Sequence, residues 1–280
     1  MGRPRQVRTW NLSSIWELPL ASGGSAWLKV VPPFFAHEGA MLRLLQGSGP
    51  VPRLLATEGP RVLMAGIPGE DRYDADPAEL LRMVFRLVHL QAAFVGREPE
   101  LLATGMPDWR WPALSVAIAA LIERDGKALG DADRATLDRF VRTLPARISA
   151  IDDAGVPDTF VHGDFHPGNV RGTPDAPTIL DWGDCGLGNP LLDLPAFLEQ
   201  SPAGHRRRIR DAWLAAWGRA EVLADPPRAA ALIEPLAAAR QALIYHRFLD
   251  GIEPSERRYH AEDVARWLKR TAAIVRTEAG

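Results

Sequence analysis

Short runs of alternating apolar and polar residues occupy the amino-terminal part of the chain. Two such runs lie within residues 7–31 and are separated by Ser22-Gly23-Gly24-Ser25, which predicts a strand, a hairpin turn and a second strand. Apolar residues at helical spacing follow over residues 36–46. Two further apolar runs, residues 51–55 and 61–65, predict two short strands on either side of a turn. This part is therefore predicted to be a small β-rich lobe with one helix.

Helical periodicity dominates the sequence after a segment rich in glycine and proline at residues 66–71. We predict helices over residues 77–94, 111–123, 131–151, 191–200, 205–220, 228–250 and 260–278. An irregular apolar stretch, residues 160–187, interrupts them and predicts two short strands and two loops. The expected fold class is α+β, with a small β-rich lobe at residues 1–66 and a larger, mainly α-helical lobe at residues 67–280.

The composition is that of an ordinary globular protein, with 46% hydrophobic and 24% charged residues. A formal net charge of -2 gives no global field that would favour nucleic acid or an anionic membrane. The longest charge-free run, Trp111 to Ile122, is too short to span a bilayer, and no secretory signal pattern opens the sequence. Cys185 is the only cysteine, which excludes an intrachain disulfide. We therefore expect a cytoplasmic protein with no nucleic-acid or membrane partner.

Polar residues that could carry chemistry follow two of the apolar runs. Asp164 and Asn169 lie five residues apart in a loop after the apolar run at 159–161, and Asp181 ends the apolar run at 178–180. In such loops a carboxylate can accept a hydroxyl proton while an amide and a second carboxylate ligate a metal ion. Mg²⁺ needs few protein ligands, because water and phosphate oxygens complete its octahedron.

These motifs resemble the paired signature of aminoglycoside phosphotransferases and of their choline, homoserine and macrolide kinase relatives. The resemblance in the second lobe rests on His162-Gly163-Asp164 with Asn169, on Leu180-Asp181-Trp182-Gly183-Asp184 and on residues 188–194. In the first lobe it rests on Lys29, Glu38, residues 51–53 and residues 64–69. It covers most of the chain, weakens after about residue 200, and implies a protein-kinase-like fold.

The resemblance also implies roles for individual residues. Asp164 is expected to be the catalytic base, and Asn169 and Asp181 are expected to hold Mg²⁺. Lys29 is expected to contact the α- and β-phosphates, oriented by an ion pair with Glu38. The expected activity is transfer of a phosphoryl group from ATP, or GTP, to a hydroxyl of a small metabolite or antibiotic.

The nucleotide base is expected to meet main-chain groups at the hinge between the lobes, which is formed by Met64, Ala65, Gly66 and Ile67. In one respect the sequence departs from kinases, because no glycine-rich loop precedes Lys29. The turn near residues 11–14 would have to cover the phosphates with hydroxyls or backbone amides.

Several residues are candidates for contact with the acceptor. His166 and Asp184 lie in the two loops, where bracing of the loop or a turn is an equally simple role; Tyr245, His246 and Arg247 follow on a predicted helix, where amphipathic packing competes. Charges near residues 250–258 are of mixed sign and do not identify the acceptor. The oligomeric state is not indicated by the sequence.

Two other classes of function match parts of the sequence. Without a glycine-rich loop the chain could be a nucleotide-binding pseudokinase that serves as an interaction module. His162, Asp164 and His166 also have the spacing of ligands for a hydrolytic metal. The chain has only three lysines among 33 basic residues, yet one is Lys29, where a kinase requires it. We therefore favour an ATP-dependent phosphotransferase with an alcohol group as acceptor.

Overall fold

A computed structural model describes residues 2–10 and 12–278 of the chain. Its amino-terminal part contains five strands, β1 (Arg5–Trp10), β2 (Ser13–Pro19), β3 (Ser25–Val30), β4 (Leu54–Glu58) and β5 (Arg61–Ala65). They form one antiparallel sheet in the order β1-β2-β3-β5-β4. Gly23 and Gly24, with φ angles of 87° and 76°, close the predicted hairpin between β2 and β3.

The helix α1 (Glu38–Leu45) follows β3 and brings Glu38 into contact with Lys29 of that strand. β4 begins at Leu54, three residues later than predicted. The segment before it is held instead by the side chain of Gln46, which donates to Pro52 O at 2.9 Å and accepts from Leu54 N at 3.0 Å. Because Pro52 has no N–H to donate to a neighbouring strand, β4 begins after it.

The rest of the chain is mainly helical, as predicted. Its helices are α2 (Pro77–Ala92), α3 (Glu98–Leu102), α4 (Trp111–Asp125), α5 (Asp131–Asp152), α6 (Leu194–Gln200), α7 (Arg206–Ala220), α8 (Pro226–Gly251) and α9 (Asp263–Glu278). Among the α-helices of the described residues, the short α3 is the one that was not predicted. The predicted helix at 191–200 opens with a 3-10 turn, Pro190–Asp193, before α6 begins. The α+β fold class is confirmed. Among the described helices, none combines the length and apolarity that crossing a bilayer requires.

Two small sheets interrupt these helices and carry the candidate residues. β6 (Glu70–Asp71), β8 (Val170–Thr173) and β9 (Ala176–Ile179) form one, and β7 (Thr159–Val161) pairs with β10 (Gly186–Gly188) in the other. The five-stranded sheet ends at Ala65, and we propose the lobe boundary directly after it, between residues 66 and 67.

Buried aromatic residues fix the loops at the ends of these short strands. Phe165, directly after Asp164, stacks on Phe197 with ring centroids 4.9 Å apart, and both rings are fully buried. Trp182, directly after Asp181, is also fully buried and donates its indole N–H to Ile179 O at 3.0 Å. The polar residues are thereby held at the surface of a rigid core.

Candidate active site

Lys29 is buried between two carboxylates. Its Nζ lies 2.8 Å from Glu38 Oε1 and 2.6 Å from Asp181 Oδ1, and only 7% of the residue is exposed. Burial alone would lower the pKa of Lys29, but the charges of Asp181 and Glu38 outweigh burial and raise it above its usual value. The ammonium therefore remains charged, and Lys29 is not a strand-end lysine that extends into solvent.

Asp164 and Asn169 face each other across the loop between β7 and β8. Asn169 Nδ2 donates to Asp164 O at 2.9 Å and to Asp164 Oδ2 at 3.0 Å. Gly163, just before Asp164, has φ = 93°, and a Cβ there would lie 2.1 Å from Asp184 O. Glycine is required at this position because both the left-handed backbone and the close approach of the two loops exclude a side chain.

His162 joins the two loops through both of its ring nitrogens. Nε2 lies 2.9 Å from Leu180 O, and Nδ1 accepts the Asp164 N–H at 3.4 Å, so this pattern assigns the ring proton to Nε2. Burial lowers the pKa of His162, which keeps the ring neutral. With both nitrogens bound to main-chain groups, this histidine braces the site and has no nitrogen left for a metal.

The carboxylate of Asp193 holds the start of the same loop. It accepts the main-chain N–H groups of His162 and Gly163, each at 2.8 Å, and the side-chain amide of Gln91 at 2.9 Å. Asp193 lies directly before α6 but makes no side-chain cap hydrogen bond to that helix. It binds the Asp164 loop instead.

Asp181 is the one described residue other than glycine with a positive φ, at 60°. Aspartate tolerates this left-handed conformation better than most residues, at a cost of roughly 1–3 kcal/mol. The turn directs one carboxylate oxygen toward Lys29 while 50% of the side chain stays exposed. Burial would raise the pKa of Asp181, but the charge of Lys29 and its hydrogen bond outweigh burial and lower that pKa.

The predicted hinge continues β5. The Ala65 N–H donates to Arg53 O and the Gly66 N–H to Ser25 O, both at 2.9 Å, and Ile67 O accepts from Arg171 Nε at 3.1 Å. In the described part of the chain the Ile67 N–H has no partner. Met64 pairs with Trp27 within the sheet.

The turn predicted to cover the phosphates lies between β1 and β2. Its first residue, Asn11, lies outside the described residues. The Ser14 hydroxyl accepts from Trp16 Nε1 at 2.9 Å and from Gln6 Nε2 at 3.2 Å. Both of these bonds leave the hydroxyl proton of Ser14 available to a ligand.

The acceptor candidates divide between two cavities. His166 and Tyr245 line a cavity of about 420 Å³ together with Asp164. Arg247 and Asp184 line a smaller cavity of about 210 Å³, where the Arg247 guanidinium lies 4.5 Å from the Trp109 ring centroid. Burial and the charges of Asp164 and Asp181 raise the pKa of Asp184 to about 7.

His166 and His246 differ in their contacts. His166 accepts the Gly168 N–H at Nδ1, 3.0 Å away, and its Nε2 lies 3.6 Å from Asp164 Oδ2. His246 instead contacts Arg124 and lies 3.4 Å from Asp250, and it is not among the residues that line either cavity. The helix α8 therefore brings Tyr245 to the larger cavity and turns His246 away from it.

Arg240, which was not predicted from the sequence, is 1% exposed and lines the larger cavity with Asp164. Burial lowers its pKa, and the carboxylates of Asp193, Asp184 and Asp164 oppose that effect. A signal was available, since Arg240 is the only charged residue in the apolar run from 235 to 244. A lone arginine in such a run predicts a buried charge with a specific partner.

A five-stranded sheet carrying an ammonium–carboxylate pair, set against a helical part with a carboxylate–amide loop, defines a kinase-like phosphotransferase. The sequence matches the model of the phosphotransferase enzyme family (APH) over residues 20–232, and the chain belongs to this family. It is a small-molecule phosphotransferase. A comparison with curated proteins gave no match.

Several solved structures have the same fold. The macrolide 2′-phosphotransferase MphH from Brachybacterium faecium is 18% identical, with a TM-score of 0.65 over 94% of this chain and 91% of that one. The GDP complex of aminoglycoside 2′-phosphotransferase-IIIa is 14% identical, with a TM-score of 0.66 over 97% and 93%. An ethanolamine kinase from Plasmodium vivax is 11% identical, with a TM-score of 0.68 over 97% and 81%. At these identities the likeness shows the fold alone.

Proposed function

We propose that this protein transfers the γ-phosphoryl group of ATP or GTP to a hydroxyl of a small molecule, a metabolite or an antibiotic. The observation that carries the proposal is the meeting of Lys29, Glu38 and Asp181 beside the Asp164–Asn169 pair. One site thus combines a cation for phosphate, oxygen ligands for a metal and a carboxylate base, which are the parts that phosphoryl transfer requires.

Lys29 is the proposed contact for the nucleotide phosphates, held by Glu38 from the opposite side. The proposed contact for the purine is the hinge at residues 64–67, where the Ile67 N–H is available to a ring nitrogen. GDP is bound in a solved relative, aminoglycoside 2′-phosphotransferase-IIIa, which supports a nucleotide substrate without deciding between ATP and GTP.

Asn169 and Asp181 have the donors that Mg²⁺ prefers. Asn169 uses its Nδ2 to bind Asp164, which leaves the side-chain oxygen Oδ1 of Asn169 for a cation. Asp181 gives one oxygen to Lys29, and half of its side chain is exposed. Hard oxygen ligands in this number fit Mg²⁺, which when bound neutralises charge on the phosphates.

Asp164 is the proposed base. Its Oδ2 is fixed by Asn169, and its carboxylate lines the larger cavity, where a hydroxylated acceptor fits. As the bond from the acceptor oxygen to the γ-phosphorus forms, the bond from that phosphorus to the bridging oxygen breaks, and the hydroxyl proton passes to Asp164. The products are a phosphorylated acceptor and a nucleoside diphosphate.

The geometry counts against the two alternatives. A hydrolytic metal on His162, Asp164 and His166 is disfavoured because both His162 nitrogens bind main-chain groups. Within residues 2–10 and 12–278 no group of three or more histidine, cysteine, aspartate or glutamate side chains is arranged to hold a metal. A pseudokinase is disfavoured because the proposed base, cation and metal ligands are all present, with Lys29 bound to Asp181 and Asp164 bound to Asn169.

The proposal is tested by following nucleoside diphosphate release with ATP and with GTP across a panel of hydroxylated compounds, and identifying products by mass spectrometry. We expect acceptor-dependent release and a phosphorylated product. A folded protein that binds neither nucleotide, or that binds nucleotide and phosphorylates nothing in a broad panel, would contradict the proposed function.

A further inference from the structure

The larger cavity contains equal numbers of acidic and basic side chains. It lies between the Asp164 loop, α6, α8 and α9, and its volume of about 420 Å³ is within the range of small-molecule sites. The carboxylates and guanidinium groups that line it belong to Asp164, Glu199, Glu234, Arg240, Arg266 and Arg270. A site built for a polycation would need a clear excess of carboxylates over guanidinium groups, and this cavity has no such excess.

One of the carboxylates is already paired within the protein. Glu199 Oε1 accepts from Arg270 Nη1 at 2.9 Å, and the Arg270 guanidinium also lies 5.5 Å from the Trp267 ring centroid. Arg266 pairs with Asp263, which does not line the cavity, at 2.9 Å. The Glu199 charge is therefore not freely available to an amine.

Arg240 lacks acceptors for most of its donors. Its one hydrogen bond to the described residues is a 3.4 Å contact from Nη2 to Asp184 O, and its buried Nε has no partner there. A guanidinium has five N–H donors, and leaving them unpaired away from water is costly. A hydroxyl, carbonyl or carboxylate oxygen in the cavity would accept from the terminal N–H groups of Arg240, whereas an ammonium group brings no acceptor.

We propose that the acceptor is an oxygen-rich hydroxylated molecule without net positive charge, and that polycationic amines are poor acceptors. The inference rests on the proposed function and names the substrate class of the same site. A neutral sugar-like compound and a hydroxy acid share this chemistry, because both present oxygens to Arg240. A polycation would find no excess of negative charge, because the three carboxylates of the lining are matched by three guanidinium groups.

The test compares acceptors grouped by charge, using the full chain with Mg²⁺ and its preferred nucleotide. Neutral probes are sugars and polyols, anionic probes are hydroxy acids such as glycerate, and cationic probes are ethanolamine, glucosamine and kanamycin. We expect the best neutral or anionic probe to exceed the best cationic probe by about tenfold or more in kcat/KM. The two non-cationic groups distinguish a sugar-like acceptor from a hydroxy acid.

A cationic probe with the highest kcat/KM would overturn the inference and leave the proposed function intact. The inference would also be overturned if the enzyme binds Mg²⁺-nucleotide but neither binds nor phosphorylates any neutral or anionic probe. If nucleotide binding is also absent, the proposed function itself fails.

Two variants test the charge argument directly. Arg270→Gln releases the Glu199 carboxylate, so the ratio of cationic to neutral kcat/KM should rise by about threefold or more. Because Arg270 is exposed, this variant should fold. Arg240→Met should raise the acceptor KM about tenfold with nucleotide KM unchanged, whereas Arg228→Met, an exposed position on the same helix, should change neither. An unchanged ratio in Arg270→Gln would overturn the inference even if Arg240→Met does not fold.

Discussion

Lys29 Nζ and Asp181 Oδ1 lie 2.6 Å apart, although 152 positions separate the two residues in the sequence. This contact joins strand β3 to the loop after β9, and Glu38 strengthens it by accepting the Trp182 N–H at 3.2 Å. The candidate nucleotide site and the junction between the sheet and the helical part are thus made of the same side chains. Changes at this site should therefore alter stability together with activity.

Lys29→Met is expected to remove nucleotide-dependent turnover and to destabilise the fold. The variant leaves the Glu38 carboxylate buried without its cation, which costs about 3–5 kcal/mol when one partner of a buried pair is removed. The double variant Lys29→Met/Glu38→Gln should recover at least half of that loss without recovering turnover. Urea denaturation and a turnover assay measure both quantities.

Lys127→Met is the matched control, because Lys127 is an exposed lysine elsewhere in the chain. It should change the free energy of unfolding by less than about 0.5 kcal/mol. A Lys29→Met protein as stable as the wild type would show that the pairs of Lys29 with Glu38 and Asp181 do not stabilise the fold.

Activity is expected to require Mg²⁺ or Mn²⁺. Protein treated with EDTA should be inactive and should recover with either ion but not with zinc, because the proposed ligands are an amide and a carboxylate. Asn169→Ala and Asp181→Asn should each raise the Mg²⁺ concentration for half-maximal turnover by about tenfold or more. Full activity in EDTA would remove the metal from the mechanism.

Much of this fold follows from local sequence signals. Seven helices of the larger part, α2 and α4 to α9, were predicted because their apolar residues recur at helical spacing. The β2–β3 hairpin was predicted because two adjacent glycines permit positive φ. β4 was misplaced because its start depends on the Gln46 side chain, a contact that no periodicity reveals. α3 was missed because five residues give too little periodicity to detect.

The candidate site was predictable where residues act through a motif and not where they act through a distant partner. Asp164, Asn169 and Asp181 stand in recognisable loops. Asp193 instead reaches back 30 residues to the Gly163 amide, and Arg240 reaches 56 residues back to Asp184. Such pairings depend on how helices α6 and α8 pack, which a single sequence does not specify.

Asp193→Ala is expected to destabilise the protein by about 3 kcal/mol or more, because the buried N–H donors of His162, Gly163 and Gln91 lose their acceptor together. Asp193→Asn keeps one side-chain oxygen as an acceptor and should lose less stability than Asp193→Ala. Asp211→Ala, at an exposed carboxylate on α7, is the control and should be near neutral. Chemical denaturation measures the free energy of unfolding of the three variants. Equal stability of Asp193→Ala and Asp211→Ala would contradict the prediction.

Asp158 should make stability fall as pH rises. Burial raises its pKa to about 6, against the opposing charge of Arg110, while an unfolded aspartate has a pKa of about 3.9. The folded state therefore binds the proton more tightly, so the free energy of unfolding declines between about pH 4 and pH 6 and stays lower above that. Asp158→Asn should be about 3 kcal/mol more stable than the wild type at pH 7.5 and nearly equal to it at pH 4. The same gain in stability at pH 4 and at pH 7.5 would show that ionisation of Asp158 does not cause the difference between the two proteins.

Asp164→Asn separates phosphoryl transfer from metal-dependent hydrolysis at one residue. The substitution keeps the shape of the side chain but removes its charge and basicity, so turnover should fall by roughly two to four orders of magnitude. Binding of Mg²⁺ with a non-hydrolysable ATP or GTP analogue should remain nearly unchanged, because the proposed metal ligands are Asn169 and Asp181. If Asp164 were instead a ligand of a hydrolytic metal, the same change would strip that metal from the protein. Calorimetric titration of the variant, run beside a metal analysis of both proteins, decides between the two. Stoichiometric zinc in the wild type that disappears in Asp164→Asn, with no nucleotide binding by either protein, would exclude phosphoryl transfer at this site.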